Sequence, residues 1–447
     1  MSIMWKWPDK FRISSFQWIL GGFLAVILAG TGLLMLPAAS ASGQAALFSE
    51  ALFTAASAVC VTGLVVRDTA TFWSPFGKSV ILLLIQTGGL GVVTMATLLT
   101  VLAGRPVSLR QKSILKDSVS AFQTGGIIRF TRFMLLVTLG AETVGALCMF
   151  PVFAGEFGPA KGAGMAVFHS VSAFCNAGFD LMGERAAFSS LTWYADSVPV
   201  NLTIMGLIIV GGIGFHTMEE MGEHRFHISR YSLQSKMILA AGGLLIFIPA
   251  VLFWFFEYEG LPAAPRLLAS LFQSVTTRTA GFNTMDFGKM SEPAQLLVIL
   301  LMITGGAPGS TAGGIKTTTV AVLAVSAVSV FRRRDTDVAF GRRIPVSAVR
   351  NAAAILAVYG AVFLLTAALI CRAEHLSLLP CMFEAASAIG TVGLSLGITP
   401  GLGTFSRMLL VFLMIFGRVG GLTLVYAAIP SVGVEYARYP EESVNVG

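Results

Sequence analysis

Long apolar stretches alternate with short polar segments along the whole chain. Stretches of roughly 20 residues, long enough to cross a hydrocarbon core as a helix, occupy residues 18–37, 130–154, 237–256 and 352–371. Shorter apolar runs of roughly 10–14 residues lie between them, at residues 47–59, 165–174, 266–277 and 379–389. Because these runs are too short to span a bilayer, we expect re-entrant helices. The pattern predicts an all-α integral membrane protein.

Each short run ends in a polar segment that closes with a glycine followed by leucine or phenylalanine. The glycines lie 115, 103 and 112 residues apart, and they are Gly63, Gly178, Gly281 and Gly393. Recurrence at a similar spacing indicates one structural unit used several times. We predict four tandem helix–pore-loop–helix repeats around a pseudo-fourfold central pore. The predicted repeats are residues 1–104, 105–236, 237–350 and 351–447, the last including a C-terminal tail.

The second long apolar helix of each predicted repeat carries its own glycine signature. The signatures begin at Gly88, Gly211, Gly305 and Gly417. Glycine in a membrane helix lets neighbouring backbones approach closely or lets the helix break. The third signature continues with two Gly-Gly pairs and a proline, which together cost several kcal/mol of helix propensity. We predict that the second helix of repeat 3 is interrupted over residues 305–319.

The four glycine-bearing segments are candidates for a cation selectivity filter. Irregular backbone at membrane depth is tolerated only where it is buried in protein or lines a water-filled path. Filters of this kind replace the hydration shell of the ion with backbone carbonyls. Four structural turns would also favour glycine, but they would not require a matching short helix ahead of each one. The predicted filter residues are Val59, Cys60, Val61, Thr62, Gly63, Asn176, Ala177, Gly178, Thr279, Ala280, Gly281, Thr391, Val392 and Gly393.

The predicted break at residues 305–319 is a candidate gate beneath the filter, because such a loop at membrane depth must face water or protein. Arg418 breaks the apolar run 408–429 and aligns by repeat with Gly306. A charge at this depth normally faces the interior with a partner, so we predict that Arg418 contacts the loop. A passive kink and a purely structural anchor are the alternatives. The predicted gate residues are Gly305, Gly306, Ala307, Pro308, Gly309, Ser310, Thr311, Ala312, Gly313, Gly314, Lys316 and Arg418.

Arg278 lies inside the third filter segment, where a cation pointing into the pore would repel the permeant ion. We expect its side chain to lie behind the loop and to pair with an acid such as Glu384 or Asp286. An enzyme would need several titratable groups that converge at membrane depth. The sequence indicates no acid pair there and only three candidates in or near the membrane, Arg418, Lys316 and His216.

Charge and cysteine content narrow the classes of protein further. The chain is 55% hydrophobic and 12% charged, with a formal net charge of +7. Its basic residues cluster near the N-terminus and in three linkers, at residues 105–132, 225–236 and 332–350. The positive-inside rule then places both termini and the linkers in the cytoplasm, and a nucleic-acid partner is not expected. The five cysteines show no paired spacing, which disfavours a disulfide framework or a zinc site.

These features together resemble the Ktr/Trk/HKT superfamily of potassium transporters. The resemblance rests on four helix–pore-loop–helix repeats, one glycine per loop, and a glycine-rich break in the second helix of repeat 3. Because the first repeat begins almost at the N-terminus, the chain is most similar to the compact KtrB-type membrane subunits. The resemblance implies that Gly63, Gly178, Gly281 and Gly393 are the filter glycines, a set that goes with potassium selectivity. It also implies that Arg418 interacts with an intramembrane gating loop.

The resemblance implies an assembly and a location as well. Such subunits form homodimers with one pore per protomer, dock on a cytosolic ring of nucleotide-binding KtrA-like subunits, and often show sodium-stimulated uptake. We expect a multi-pass protein of the bacterial cytoplasmic membrane, with potassium as substrate, sodium as a candidate activator and no cofactor of its own. An alternating-access secondary cation transporter, which also uses internal repeats and broken helices, is the alternative. Basic linkers on one side indicate parallel repeats and favour the pore.

Overall fold

The computed structural model describes residues 14–102, 108, 111, 113–115, 126–225 and 227–421. Predictions about the basic N-terminal segment, most of the first basic linker and the chain after residue 421 concern residues outside these ranges. Within them the regular structure is helical apart from one hairpin, whose two strands have two residues each. This agrees with the all-α fold predicted from the sequence.

The first helix of each repeat is long and apolar. These helices are Ser15–Leu34, Ile127–Phe157, Leu233–Phe256 and Val346–Glu374, and each is long and apolar enough to cross a membrane. Ser14 caps the first of them by accepting a hydrogen bond from the N–H of Gln17, because the first N–H groups of a helix have no partner within it. The long stretches predicted from the sequence are confirmed.

The short helices follow the long ones, and their C-terminal halves are largely buried. They are Phe48–Val59, Pro159–Phe174, Ala263–Thr276 and Leu378–Gly390. In repeats 1, 2 and 4 a buried phenylalanine stands ten residues before the filter glycine, at Phe53, Phe168 and Phe383. In repeat 3 that position is the half-buried Leu271, and the fully buried ring belongs to Phe272. The third short helix is therefore offset by one residue from its glycine.

The second helices bend sharply at single glycines in repeats 1 and 2. Pro75–Leu90 continues as Val92–Leu102 and Val198–Ile213 as Phe215–His224, with bends of 98° and 96°. The bends fall at Gly91 and Gly214, whose φ angles of 88° and 93° suit glycine and few other residues. In repeat 4, Thr404–Val419 ends at Gly420, which has a φ of 94°.

In repeat 3 the second helix is split into Glu292–Ile303 and Thr317–Phe331. The break thus covers residues 304–316, and the predicted end at residue 319 was wrong because the helix restarts at Thr317. The sequence singled out repeat 3, whereas the structure also breaks the second helices of repeats 1 and 2, each at a single glycine; among the described residues the break in repeat 3 is the longest. We call residues 304–316 the interrupted segment.

Counting spans by length and apolarity gives four single helices among the described residues, or six when each bent pair counts as one span. The sequence predicts two spans per repeat. The two further spans are the split second helix of repeat 3, in pieces of 12 and 15 residues, and that of repeat 4, which the structure describes only as far as residue 421.

The remaining elements are short and lie in the connections. A four-residue helix, Thr69–Phe72, precedes the second helix of repeat 1. An antiparallel hairpin after the second helix of repeat 3 pairs Val338–Ala339 with Arg342–Arg343. The 3₁₀ turns are Pro37–Ala39, Met182–Glu184, Thr192–Tyr194, Ile228–Arg230, Phe287–Lys289 and Thr399–Gly401.

Candidate functional site

The four loop glycines, which the sequence predicts as filter residues, form a closed ring. A Cβ added to Gly178 would lie 2.8 Å from the carbonyl oxygen of Ala280 and 2.9 Å from the Cα of Gly281. The same contact joins each repeat to the next one, and repeat 4 to repeat 1. The glycine of each loop faces the carbonyl that precedes the glycine of the next loop, in the pairs Gly63 with Ala177, Gly178 with Ala280, Gly281 with Val392 and Gly393 with Thr62. The chain thus brings its four loops around one axis.

All four loops contain a left-handed residue at the same position. The residue two positions before each glycine is left-handed, with φ between 52° and 69°, and these residues are Val61, Asn176, Thr279 and Thr391. Each glycine also has a positive φ. Left-handed backbone at non-glycine residues is uncommon and concentrates at functional sites. The sequence predicted unusual backbone angles for the glycines, but it did not reveal the left-handed residue two positions before each of them.

Two predicted filter residues lie in the helix end, outside the extended segment. Val59 is the last residue of the first short helix, and Cys60 is its C-cap. A Cβ added to Gly88 would clash with the Val59 carbonyl, so glycine is required for the second helix to pass this close. The equivalent pairs are Gly211 with Phe174 in repeat 2 and Gly417 with Ile389 in repeat 4.

Hydroxyl groups near the end of each short helix hold the loops in place. Ser57 accepts a hydrogen bond from the N–H of Gly63, and Ser387 accepts one from Gly393, both at 3.0 Å. In repeat 2 the hydroxyl of Ser172 donates to the Phe179 carbonyl at 2.7 Å, and in repeat 3 Thr276 donates to the carbonyl of Phe282. The sequence prediction missed these four residues. Their signal was a Ser or Thr five or six residues before each glycine.

A second layer of buried polar side chains fixes the backbone beyond the glycines. Nδ1 of His169 bonds the Met165 carbonyl at 2.8 Å, and Nε2 accepts the N–H of Leu181 at 3.3 Å. Gln273 donates to the Met285 carbonyl at 3.0 Å. Glu384 accepts hydroxyl hydrogen bonds at 2.5 and 2.7 Å and a backbone N–H, from Ser395, Thr399 and Leu396. Each of these side chains ties a short helix to the segment that follows its own filter glycine.

Arg278 lies behind the third loop as predicted, but the predicted acid partner was wrong. Its guanidinium group donates to the carbonyl of Gly242 at 3.4 Å and to the hydroxyl of Thr317 at 3.2 Å. Of the two acids proposed for it, Glu384 accepts the hydroxyl and backbone hydrogen bonds of its own repeat, and Asp286 accepts the N–H of Gly288. Carbonyl and hydroxyl groups thus take the place of the predicted ion pair.

The interrupted segment is attached to the broken second helices of two other repeats. The N–H groups of Ala307 and Thr311 donate to Gly212 and Gly211 at 3.0 and 3.2 Å, and Gly314 donates to Gly417 at 3.1 Å. A helix break leaves carbonyls without intrahelical partners, and these carbonyls are the acceptors. Within the segment, the N–H of Gly305 bonds the carbonyl of Ile315 at 2.7 Å. The two ends of the segment therefore lie side by side.

Two basic side chains donate hydrogen bonds to carbonyls of the interrupted segment, one from repeat 4 and one from within the segment itself. Arg418 donates to the carbonyl of Thr311 and to those of Gly88 and Gly89 at 2.5 and 3.0 Å. The ammonium group of Lys316 donates to the Ala312 carbonyl at 2.7 Å. The predicted contact between Arg418 and the segment is therefore present. Its role in gating stays a prediction.

A cavity of about 150 Å³ lies against these cations. Its walls come from all four repeats and include Gly91, Phe215, Ser310, Lys316 and Arg418. A cation that enters this cavity meets two positive side chains, and like charges at short range in a poorly solvated interior repel strongly.

Two buried acids lie near the loops; the sequence prediction named Glu384 only as a partner for Arg278 and did not name Glu142. Glu384 is fully buried and Glu142 is 7% exposed. The Sγ of Cys175 lies 4.0 Å from Glu142. No group of three or more potential metal ligands occurs in the part of the chain that the structure describes, so these acids do not form a chelating cluster there.

The chain is similar to known cation transport proteins along nearly its whole length. Residues 4–255 and 257–434 match the TrkH family, described as a cation transport protein. The potassium/sodium uptake protein NtpJ of Enterococcus hirae is 37% identical, over 100% of both chains. The Ktr system potassium uptake protein B of Bacillus subtilis is 35% identical, over 99% of this chain and 98% of that protein. The protein of that name from Vibrio alginolyticus is also 35% identical, over 98% and 96%.

The fold is that of a solved transporter. The crystal structure of the potassium transporter TrkH from Vibrio parahaemolyticus superposes with a TM-score of 0.74 at 18% identity, over 95% of this chain and 86% of that one. Together with the full-length relatives, this confirms the resemblance to the Ktr/Trk group and a multi-pass membrane protein. The relatives are transporters, which supports a transporter role over an enzymatic one. The chain belongs to the TrkH family of cation transport proteins.

Proposed function

We propose that the chain takes up potassium ions across the cytoplasmic membrane as the translocating subunit of a Ktr-type system. The observation that carries the proposal is the closed ring of Gly63, Gly178, Gly281 and Gly393, with one carbonyl facing each glycine. Rings of carbonyls replace the hydration shell of an ion. Relatives that match the full chain are named for potassium uptake or potassium/sodium uptake.

In this proposal the four loops select the ion and the interrupted segment acts as the gate. The ion loses water to the carbonyls of the four loops, whose positions are held by Ser57, Ser172, Thr276 and Ser387. It then meets the interrupted segment, which must move before the ion can pass. The membrane potential drives inward movement with about 2.3 kcal/mol per charge for each 100 mV.

We base the proposed assembly on the family to which the chain belongs. The proposed functional unit is a homodimer with one pore per protomer, in contact with a cytosolic nucleotide-binding ring on the side of the basic linkers. Three of the relatives carry the Ktr system name, and a system implies further components. Because Arg418 and the carbonyls of Gly211 and Gly417 hold the interrupted segment, a partner that separates the second helices would release it.

A flux assay in reconstituted vesicles tests the proposal. The protein is reconstituted with potassium, rubidium, sodium or lithium outside, and uptake is driven by a potential that is negative inside. We expect uptake of potassium and rubidium to exceed uptake of sodium and lithium. Equal uptake of all four ions would contradict selection by the carbonyl ring. Uptake that depends on sodium would identify sodium as an activator.

Replacing Arg418 with glutamine should change potassium flux more than ion selectivity. The substitution removes a positive charge from the cavity and weakens the contacts to Thr311, Gly88 and Gly89, all of which lie outside the glycine ring. Hydrogen bonds to charged groups contribute about 1.5–3 kcal/mol each, so a flux change of roughly tenfold is expected. Arg418→Lys keeps the charge and serves as the comparison. Unchanged flux in Arg418→Gln, at normal membrane levels, would exclude a gating role.

Removing the two hydroxyl groups of Ser57 and Ser387 should loosen the ring. The double substitution to alanine leaves the N–H groups of Gly63 and Gly393 without their acceptors, and a buried unpaired donor costs about 1–3 kcal/mol. We expect a several-fold loss of potassium over sodium selectivity in competition uptake. Ser235→Ala removes a buried hydroxyl that bonds Thr217 and is the control. Equal selectivity in both variants would rule out the anchoring role.

A further inference from the structure

Five arginines lie directly beyond the end of the split second helix of repeat 3. All are exposed, and they are Arg332, Arg333, Arg334, Arg342 and Arg343. None of them forms an ion pair with an acid in the described ranges, although Asp335 and Asp337 are close in sequence. The cluster therefore keeps most of its positive charge available. We call these five residues the arginine cluster.

Large apolar side chains are exposed beside the arginine cluster. Phe331 is 84% exposed, Val330 is 68% exposed and Phe340 is 56% exposed. The helix Thr317–Phe331 is apolar to its last residue, and the first arginine follows at once. An apolar helix end followed by a run of arginines marks the level at which hydrocarbon gives way to headgroups. The arginine cluster therefore lies at the membrane surface, with the apolar side chains on its lipid side.

The hairpin folds back on the helix and forms a cleft. Phe340 and Gly341 have φ angles of 49° and 73°, the left-handed pair that tight two-residue hairpins use. The cleft between hairpin and helix measures about 380 Å³. Its helix side is largely apolar and includes Val325 and Val328, and its polar end carries Arg332 and Arg334.

We infer that this cleft binds an anionic phospholipid. Its phosphate would lie between the guanidinium groups of Arg332 and Arg334, since such groups form charge-assisted hydrogen bonds to phosphate oxygens. The upper part of an acyl chain would cover Val325, Val328 and Phe340. Basic clusters of four to eight residues next to a membrane helix typically attract anionic lipid. A soluble protein partner would leave Val330 and Phe331 uncovered, whereas lipid covers them.

Native mass spectrometry of the detergent-purified protein tests the inference without any transport measurement. Dioleoylphosphatidylglycerol, dioleoylphosphatidylcholine and inorganic phosphate are added separately, and the bound fraction is measured. We expect phosphatidylglycerol to bind and the other two to bind weakly or not at all. Arg332→Gln with Arg334→Gln should weaken phosphatidylglycerol binding by roughly ten- to thirtyfold, because each arginine near an anionic headgroup contributes a factor of about five.

The control removes the same charge from another basic linker. Arg225 and Arg230 are exposed, and their double substitution by glutamine should leave phosphatidylglycerol binding unchanged. Phe340→Asn keeps the left-handed turn, which asparagine tolerates, and should weaken lipid binding while sparing the guanidinium groups.

Several results would overturn the inference. Equal loss of binding in the two arginine double variants would make the effect nonspecific. Equal binding of phosphatidylcholine would leave only an apolar groove, and competition by inorganic phosphate at similar concentration would indicate a free-anion site. If Arg332→Gln with Arg334→Gln released a cytosolic regulatory subunit and left lipid binding unchanged, the arginine cluster would be a protein-docking surface instead.

Discussion

Replacing Gly63 with serine should lower potassium over sodium selectivity by at least roughly tenfold while the protein still folds and inserts. The added Cβ would collide with the carbonyl of Ala177 and lie 3.0 Å from the Cα of Gly178, so the loops of repeats 1 and 2 must separate. Interiors are close-packed and cannot absorb such a contact without a shift. Because selection depends on carbonyl number and position, a wider ring admits sodium more readily. Competition uptake of the two ions in vesicles measures the effect.

Gly397→Ser is the matched control for this substitution. Gly397 has a φ of 88°, nearly equal to the 89° of Gly63, but no atom lies within 4 Å of its added Cβ. The control therefore carries the same left-handed backbone strain without touching the ring. We expect it to keep wild-type selectivity at slightly reduced stability. If both serine variants select potassium as the parent does, Gly63 does not contribute to the filter.

Deleting residues 307–312 should raise potassium flux by roughly tenfold, since a closed state favoured by about 1.4 kcal/mol is open about one-tenth of the time. A Cβ added to Gly305 would lie 3.3 Å from the Cα of Gly314, so the ends of the deleted piece are already adjacent and can be joined. The deletion removes Thr311, which Arg418 and the carbonyls of Phe174 and Gly211 hold in place. Initial rates of potassium uptake provide the measurement.

A variant with residues 307–312 replaced by six alternating glycine and serine residues controls for length. It keeps an obstruction in the path but loses the specific contact of the Thr311 hydroxyl, so its flux should fall between those of the parent and the deletion. The deletion should also reduce dependence on a cytosolic partner. A stable, inserted deletion variant that carries no more potassium than the parent would show that the interrupted segment is scaffold.

The sequence was most informative where periodicity and glycine spacing recur. Apolar length identified the long helices and the short ones, because spanning a bilayer sets a minimum length. The glycine spacing identified four equivalent loops. The position of Arg418 within an apolar run, aligned by repeat with Gly306, also predicted its contact with the interrupted segment, since a charge in a membrane must find a partner.

The sequence was weakest where the partner of a side chain comes from a distant repeat. Arg278 was expected to find a carboxylate, but the carbonyl of Gly242 and the hydroxyl of Thr317 are closer. In the sequence, Ser57 and Ser387 cannot be told apart from other helix residues, because only the structure shows their hydrogen bonds to Gly63 and Gly393. The one-residue offset of the third short helix was hidden because Leu271 and Phe272 are both apolar, and only burial separates them.

By itself, the sequence determined the membrane class, the fourfold repeat, the four loop glycines and the place of the longest break, because hydropathy and glycine content act locally along the chain. Only the tertiary structure decided that the four loops close into one ring, that the second helices of repeats 1 and 2 also break, and that the carbonyls of Gly211, Gly212 and Gly417 hold the interrupted segment. The ring and these hydrogen bonds join residues more than 90 positions apart, and such contacts between repeats depend on packing that no local pattern encodes.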